Sequence, residues 1–393
     1  EGIMMETKRI LIDKNDIRDE DLLEAARILR EGGLVAFPTE TVYGLGANAL
    51  DEEAAKKIYA AKGRPSDNPL IAHIASIDQV KPLVKEIPEA GRKLMEAYWP
   101  GPLTIIFWKS GIVPYGTTGG LDTVAIRMPS DRIANRMIAL AGVPVAAPSA
   151  NLSGRPSPTT ADHVWEDMNG RIEMILDGGP VGIGVESTIV DVTEDVPVVL
   201  RPGAITMEML KDLLGEVKID PAITGPMRPD MHPKAPGMKY RHYAPKADMV
   251  LVELSDETRE KLEDKEGAFV KEVEQRIADQ AKCPSIRPED YLLALEVAKL
   301  AEEAAGKGLK VGVICTDETR SEYAEDDGLF YAVRSMGIRA KEETIAHNLY
   351  RVLREFDDLG VDYIVSEGFS RTQLGQAIMN RLTKAAGHKI VKI

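Results

Sequence analysis

Residues 34–46 read LVAFPTETVYGLG. Leu34 to Phe37 have the composition of a buried strand, and Pro38 closes the run. Thr39, Glu40, Thr41 and Tyr43 follow, with hydroxyls and a carboxylate crowded together before Gly44 and Gly46 mark a bend. Burial accounts for the apolar half and leaves the polar half unexplained. The stretch is therefore expected to be a core strand that runs out into the lip of a site.

On either side the pattern alternates between helix and strand. IRDEDLLEAARILREGG (17–33) spaces its apolar residues at the helical period and stops on two glycines. DEEAAKKIYAAKGR (51–64) opens acidic and ends basic, the order that suits a helix dipole. Strand candidates lie at 69–74, 102–108, 122–129, 143–148, 172–179 and 186–192. The fold class expected is α/β, with a large mixed-sheet domain over residues 1–205.

Beyond a short helix at MEMLKDLLG, residues 221–245 are proline-rich and can be neither helix nor interior strand. A linker or functional loop is expected over 206–247, with YRHY (Tyr240, Arg241, His242, Tyr243) as its anchoring part. Strands at 249–254, 309–315 and 361–368 then alternate with helices at 256–280, 288–306, 342–358 and 374–386. This second pattern predicts a smaller, Rossmann-like α/β domain with a parallel core over 248–393.

Composition narrows the class. The 393 residues suffice for two or three domains with proper cores. A net charge of -14 argues against a broad surface for nucleic acid, while leaving room for a local basic pocket that takes a small anion. Two cysteines, Cys283 and Cys315, form neither a disulfide scaffold nor a soft-metal cluster. The opening EGIMMETKRI lacks a leader's apolar run, no stretch is long and apolar enough for a membrane span, and a cytoplasmic setting is expected.

Several polar strings could carry chemistry. In AKGRPSDNPL, Lys62 and Arg64 end a helix and Ser66, Asp67 and Asn68 follow; this is either a charged cap or an anion site. In APSANLSGRPSPT, Ser149, Asn151, Ser153 and Arg155 form either an ordinary turn or a phosphate cradle. Ser187, Arg201 and Arg127 sit on or beside strands, and Arg127, in an apolar strand, requires a partner from the protein or from a ligand. His73 either faces a pocket or is a satisfied core-edge histidine. There is no P-loop, no GxSxG elbow and no HExxH.

FPTETVYGLG, KGRPSDNPL, SANLSG, ESTIVD and RPG, in that order, resemble the threonylcarbamoyl-AMP synthase family. With QLGQAIMNRL near the end, the likeness extends to that family's long, two-domain form. It implies synthesis of L-threonylcarbamoyladenylate from L-threonine, bicarbonate or CO2, and ATP. Mg2+ is implied as cofactor. The product would pass to the tRNA threonylcarbamoyl transferase machinery, with no stable tRNA binding by this chain. The resemblance assigns catalysis to Lys62, Arg64, Ser149 and Asn151. Threonine and carbamate would meet Thr39, Tyr43, Lys62, His73, Arg127 and Ser187. ATP would meet Arg64, Asn68, Ser149, Asn151, Ser187 and Arg201, Glu40 would orient Lys62 or Arg64, and Tyr240, Arg241, His242 and Tyr243 would form a lid or an interdomain brace. The competing reading is a non-catalytic module binding double-stranded RNA or the ribosome. A third is a carbamoyl-transfer domain acting on carbamoyl phosphate.

Overall fold

The computed structural model describes residues 4–65, 68–223, 225, 232–236, 238, 242–323 and 328–393. The chain divides into two compact units, Glu1–His242 and Tyr243–Ile393.

The first unit is built on one mixed sheet. Its strands are β1 (Lys8–Leu11), β2 (Val35–Phe37), β3 (Gly44–Asn48), β4 (Ile71–His73), β5 (Leu103–Trp108), β6 (Thr123–Arg127), β7 (Val145–Ala146), β8 (Met174–Asp177), β9 (Thr188–Asp191), β10 (Val198–Arg201) and β11 (Lys218–Ile219). They run in the order β1-β8-β2-β3-β7-β4-β6-β5-β9-β10-β11. Parallel and antiparallel pairs are mixed along the sheet: β2 lies parallel to β8 and antiparallel to β3, and β6 lies parallel to β4 and antiparallel to β5.

Strand alternation sorts the side chains onto two faces. Ala36, Leu45, Ala72, Ile105, Ile126 and Val190 enter one core with helices Glu52–Lys62 and Glu89–Tyr98. On the opposite face, Val35, Phe37, Val145 and Leu176 pack under helices Asp19–Arg30 and Arg132–Ala141. Further along that face, Ile71, Ile106, Ala125, Ile189 and Leu200 are covered by Ala235 and Met238 of the connector. Lys234 fastens this cover through a 3.0 Å ion pair with the buried Asp191.

Two local readings need correction. Gly44 and Gly46 make no bend; they lie in β3, in register with Phe37 and Val35. A Cβ on Gly46 would stand 2.8 Å from a Phe37 ring carbon and 2.9 Å from a Val145 methyl, so close approach, and not turning, is what requires glycine there. The helix expected over 256–280 is two helices, Asp256–Glu263 and Ala268–Gln280, divided by a turn in which the Gly267 N–H donates to the Asp264 carbonyl at 2.9 Å.

The second unit carries β12 (Asp248–Glu253), β13 (Val311–Cys315), β14 (Ala332–Ser335), β15 (Tyr363–Glu367) and β16 (Ile390–Lys392), ordered β14-β13-β15-β12-β16. Every pairing is parallel. Counted within the unit this is 3-2-4-1-5, the dinucleotide-binding order with its first and fourth strands exchanged. No helix among the described residues is long and apolar enough to cross a membrane.

Candidate active site

The polar half of the opening stretch is the loop between β2 and β3, tied down along its length. The Thr39 hydroxyl donates to the Val42 carbonyl at 2.7 Å and lies 2.9 Å from the Thr41 hydroxyl. The Ile183 N–H donates to the Glu40 carbonyl at 2.9 Å and the Gly184 N–H to the Thr41 carbonyl at 3.0 Å. Tyr43 is fully buried. Its hydroxyl donates to the Gly179 carbonyl at 2.7 Å and accepts from the Gly178 N–H at 3.1 Å. Burial pushes that phenol well above its ordinary range. Tyr43, expected to meet threonine and carbamate, has its hydroxyl engaged by Gly178 and Gly179, and its ring pins the loop from beneath.

Glu40 is also corrected. Its carboxylate does not reach toward Lys62 or Arg64; it pairs with the Arg127 guanidinium and accepts from the Ser130 N–H at 2.7 Å. Burial pushes this carboxyl up, but Arg127 and the Ser130 donors outweigh burial and leave it below the usual carboxylate range. Arg127 also donates to the Thr41 hydroxyl at 2.9 Å and to the Gly101 carbonyl at 3.3 Å.

Lys62 ends a helix capped at its start by Asp51 and at its finish by Gly63 in the left-handed region. Its buried ammonium donates to the Ser149 carbonyl and, at 2.8 Å, to the Asn151 carbonyl. That loop is in turn joined to the lip: Ser149 bridges to Gly44, and the Ala150 N–H donates to the Tyr43 carbonyl at 2.9 Å. Asn151 spends its amide on the Leu152 carbonyl at 2.8 Å and the Arg155 carbonyl at 3.2 Å. The Ser149 hydroxyl is half-buried and has no hydrogen-bond partner among the described residues. Arg64 is buried two residues beyond Lys62, just past the Gly63 cap. Asn68 is buried too, and its side-chain amide has no partner among the described residues on either its nitrogen or its oxygen.

Across the sheet, His73 on β4, Arg127 on β6 and Thr104 on β5 are register partners and point to one face. His73 meets the Ile71 carbonyl at 2.9 Å and sets its ring edge-on to Phe37. Burial, with the Arg127 charge beside it, drives the imidazole down to about 3, so it is neutral at physiological pH. Thr104 shares a 2.7 Å hydrogen bond with Ser187, and Arg201 donates to the Ser187 hydroxyl at 3.1 Å and its carbonyl at 2.9 Å. Lys62, Ser149, Thr41, Arg127, Thr104, Ser187 and Arg201 thus belong to one chain of contacts that runs through both polar loops and strands β5, β6 and β10.

Whole-chain comparisons agree on a relationship. The Pyrococcus abyssi protein named threonylcarbamoyl-AMP synthase is 49% identical over 370 residues, covering 94% of this chain and 95% of that one. This chain belongs to the threonylcarbamoyl-AMP synthase family. The Bacillus subtilis protein of the same name is 44% identical, over 99% of this chain and all of its own. Of this family member, residues 27–203 match the Sua5–YciO–YrdC family, described as "Telomere recombination", and residues 205–387 match "Threonylcarbamoyl-AMP synthase, C-terminal domain". A crystal structure of P. abyssi Sua5 complexed with L-threonine superimposes with a TM-score of 0.83 at 45% identity, covering 98% of this chain and all of that one.

Sequence reading missed Thr104 and Ser130, which hold Ser187 and Glu40. Ser130 carried a faint signal, since Pro-Ser-Asp before an apolar helix is a helix start; Thr104 carried none. Of the YRHY string, Tyr240 and Arg241 lie outside the described residues. His242 is half-buried at the end of the first unit. Tyr243 stacks on Tyr350 of the second unit at 5.5 Å between ring centroids. No group of three or more His, Cys, Asp or Glu side chains able to hold a metal occurs among the described residues.

Proposed function

We propose that this chain joins L-threonine, bicarbonate or CO2, and ATP into L-threonylcarbamoyladenylate, releasing pyrophosphate and water. The observation that carries the reading is the arrangement of cations. Lys62 is fixed on the carbonyls of the Ser149–Asn151 loop, while Arg127 and Arg201 are braced by the hydroxyls of Thr41 and Ser187. The relative crystallised with L-threonine supports the choice of amino acid.

The amine of threonine and CO2 give a carbamate. One carbamate oxygen forms a bond to the α-phosphorus of ATP as the bond to the β-phosphate oxygen breaks, and pyrophosphate leaves with that electron pair. When bicarbonate supplies the carbon, water is lost as the carbamate forms. A carbamate is already an anion, so no strong general base is required. What the step requires is cancellation of charge among a carboxylate, a carbamate and a triphosphate.

Lys62, Arg64 and Arg127 supply fixed positive charge that needs no reorganisation. Ser187 and Arg201 bound the nucleotide side, and His73, neutral, adds no charge. Asn68 presents a buried amide that a bound nucleotide would satisfy. Thr39 and Tyr43 shape the lip from within and beneath it. The residues present fit Mg2+ in the way usual for nucleotide enzymes, held chiefly by phosphate oxygens and water, with the Ser149 hydroxyl as this chain's share. When bound, the ion would neutralise charge across the phosphates.

The product would serve a separate transferase that modifies adenosine 37 of tRNA. The net charge of -14 supports a chain that does not itself retain tRNA. The test is pyrophosphate release with threonine and bicarbonate supplied together and withheld in turn, with the adenylate detected by mass. Release should need both, and Lys62→Ala should lower it on the order of 100-fold. Release indifferent to threonine sinks the assignment.

A further inference from the structure

In an open parallel sheet, ligands settle outside the carboxyl ends of the strands, where successive connections leave for opposite faces. The second unit has such a place. The chain leaving β12 goes to the face covered by helix Pro288–Gly306, which packs against Val250, Val252 and Val313. The chain leaving the neighbouring strand β15 goes to helix Leu374–Ala385, which packs with helix Glu342–Leu359, and Phe356 of that helix meets Gly312 from the other face. Between the two exits, at Glu253–Leu254 and Gly368–Ser370, opens a cavity of about 150 Å3.

Most charges around it are already matched. Arg371 forks onto Glu253 with two 2.9 Å bonds, and Asp290 lies 3.0 Å from Arg287 and 3.1 Å from Arg339. Arg339 also donates to Glu367 at 2.6 Å and to the Gly368 carbonyl at 2.7 Å. Two groups are left over. The half-buried Arg259 makes one bond, from Nε to the Leu254 carbonyl at 3.2 Å, and its terminal nitrogens meet no carboxylate among the described residues. Glu289 is paired only loosely, 3.4 Å from Arg287. Leu254, Leu293 and Phe369 supply an apolar wall.

We infer that this crevice binds a small zwitterionic amino acid. Its carboxylate meets the Arg259 guanidinium, its ammonium meets Glu289, and its side chain lies on the apolar wall. The size is as informative as the charge. A cavity of about 150 Å3 holds a molecule of benzene's size, far below a nucleotide. The site is independent of the reaction proposed for the first unit, and nothing in it depends on that reading.

Hydrogen–deuterium exchange on the full-length chain tests it. L-threonine, L-serine, L-alanine and L-aspartate are each added at millimolar concentration, beside acetate and inorganic phosphate. At least one amino acid should protect the amides of residues 254–262 and 368–373. Arg259→Ala, whose only bond is to a backbone carbonyl, should melt like the parent and weaken that protection at least 10-fold, with Arg259→Lys recovering part of it. No protection by any amino acid overturns the inference, as does equal protection by acetate or phosphate alone, or undiminished protection in Arg259→Ala. Because the readout is confined to peptides of the second unit, it stands or falls apart from pyrophosphate release.

Discussion

Arg127 is 4% exposed and meets the Glu40 carboxylate, the Thr41 hydroxyl and the Gly101 carbonyl. Arg127→Ala would strand Glu40 beneath the lip, and breaking such a pair costs about 3–5 kcal/mol. Urea unfolding should show that loss, and pairing the change with Glu40→Gln should recover part of it; a loss below about 1 kcal/mol would mean water reaches the pair. His73 gives a pH signature. Its folded value lies near 3, below the unfolded value of about 6.5. The folded chain therefore binds fewer protons, and stability that is complete above pH about 6.5 falls as pH drops toward 3, by up to about 1.4 kcal/mol per unit. Compared between pH 7.5 and 4.5, His73→Gln should lack that slope, and parallel declines would remove His73 from the account. Little of this was legible in the sequence. Lys62, Ser149 and Asn151 stood out as polar residues at element ends, but Glu40 finds Arg127 only through the folded sheet, 87 positions away.

Helices and most strands were legible because their periods are local. Asp51 capping a helix that ends at Gly63, or the apolar runs of β5 and β6, need no tertiary knowledge. The strand β3 was not legible, because glycine signals a turn and close packing equally well. In β3 the packing requirement decides. Gly46→Ala should destabilise the first unit by about 1–3 kcal/mol, since the Phe37 ring and Val145 that its Cβ would meet are both fully buried. Gly111→Ala, where an added Cβ meets nothing within 4 Å, should stay within about 0.5 kcal/mol in the same thermal melts. The divided helix after β12 escaped notice for a related reason: apolar spacing continues in phase across DKEG, and only the Asp264–Gly267 turn breaks it.

At the scale of the whole molecule, the shift of pattern after residue 247 carried the two-unit organisation, because each half repeats its own alternation of strand and helix. The second unit has its own core, from Val250 and Val252 through Val297, Val313 and Val365. Residues 243–393 expressed alone should therefore unfold in one cooperative transition by circular dichroism, and a broad, denaturant-insensitive signal would refute that autonomy.

The first unit is less self-sufficient than its sheet suggests. The apolar strip formed by Ile71, Ile106, Ala125, Ile189 and Leu200 is roofed by Ala235 and Met238, pegged by Lys234 on Asp191. A chain cut at residue 205 would keep every strand from β1 to β10 and every residue of the cationic arrangement, yet its sheet would face water along that strip. Solubility is thus written into the connector: such a fragment would be sticky, prone to self-association through a greasy seam that the intact protein never shows.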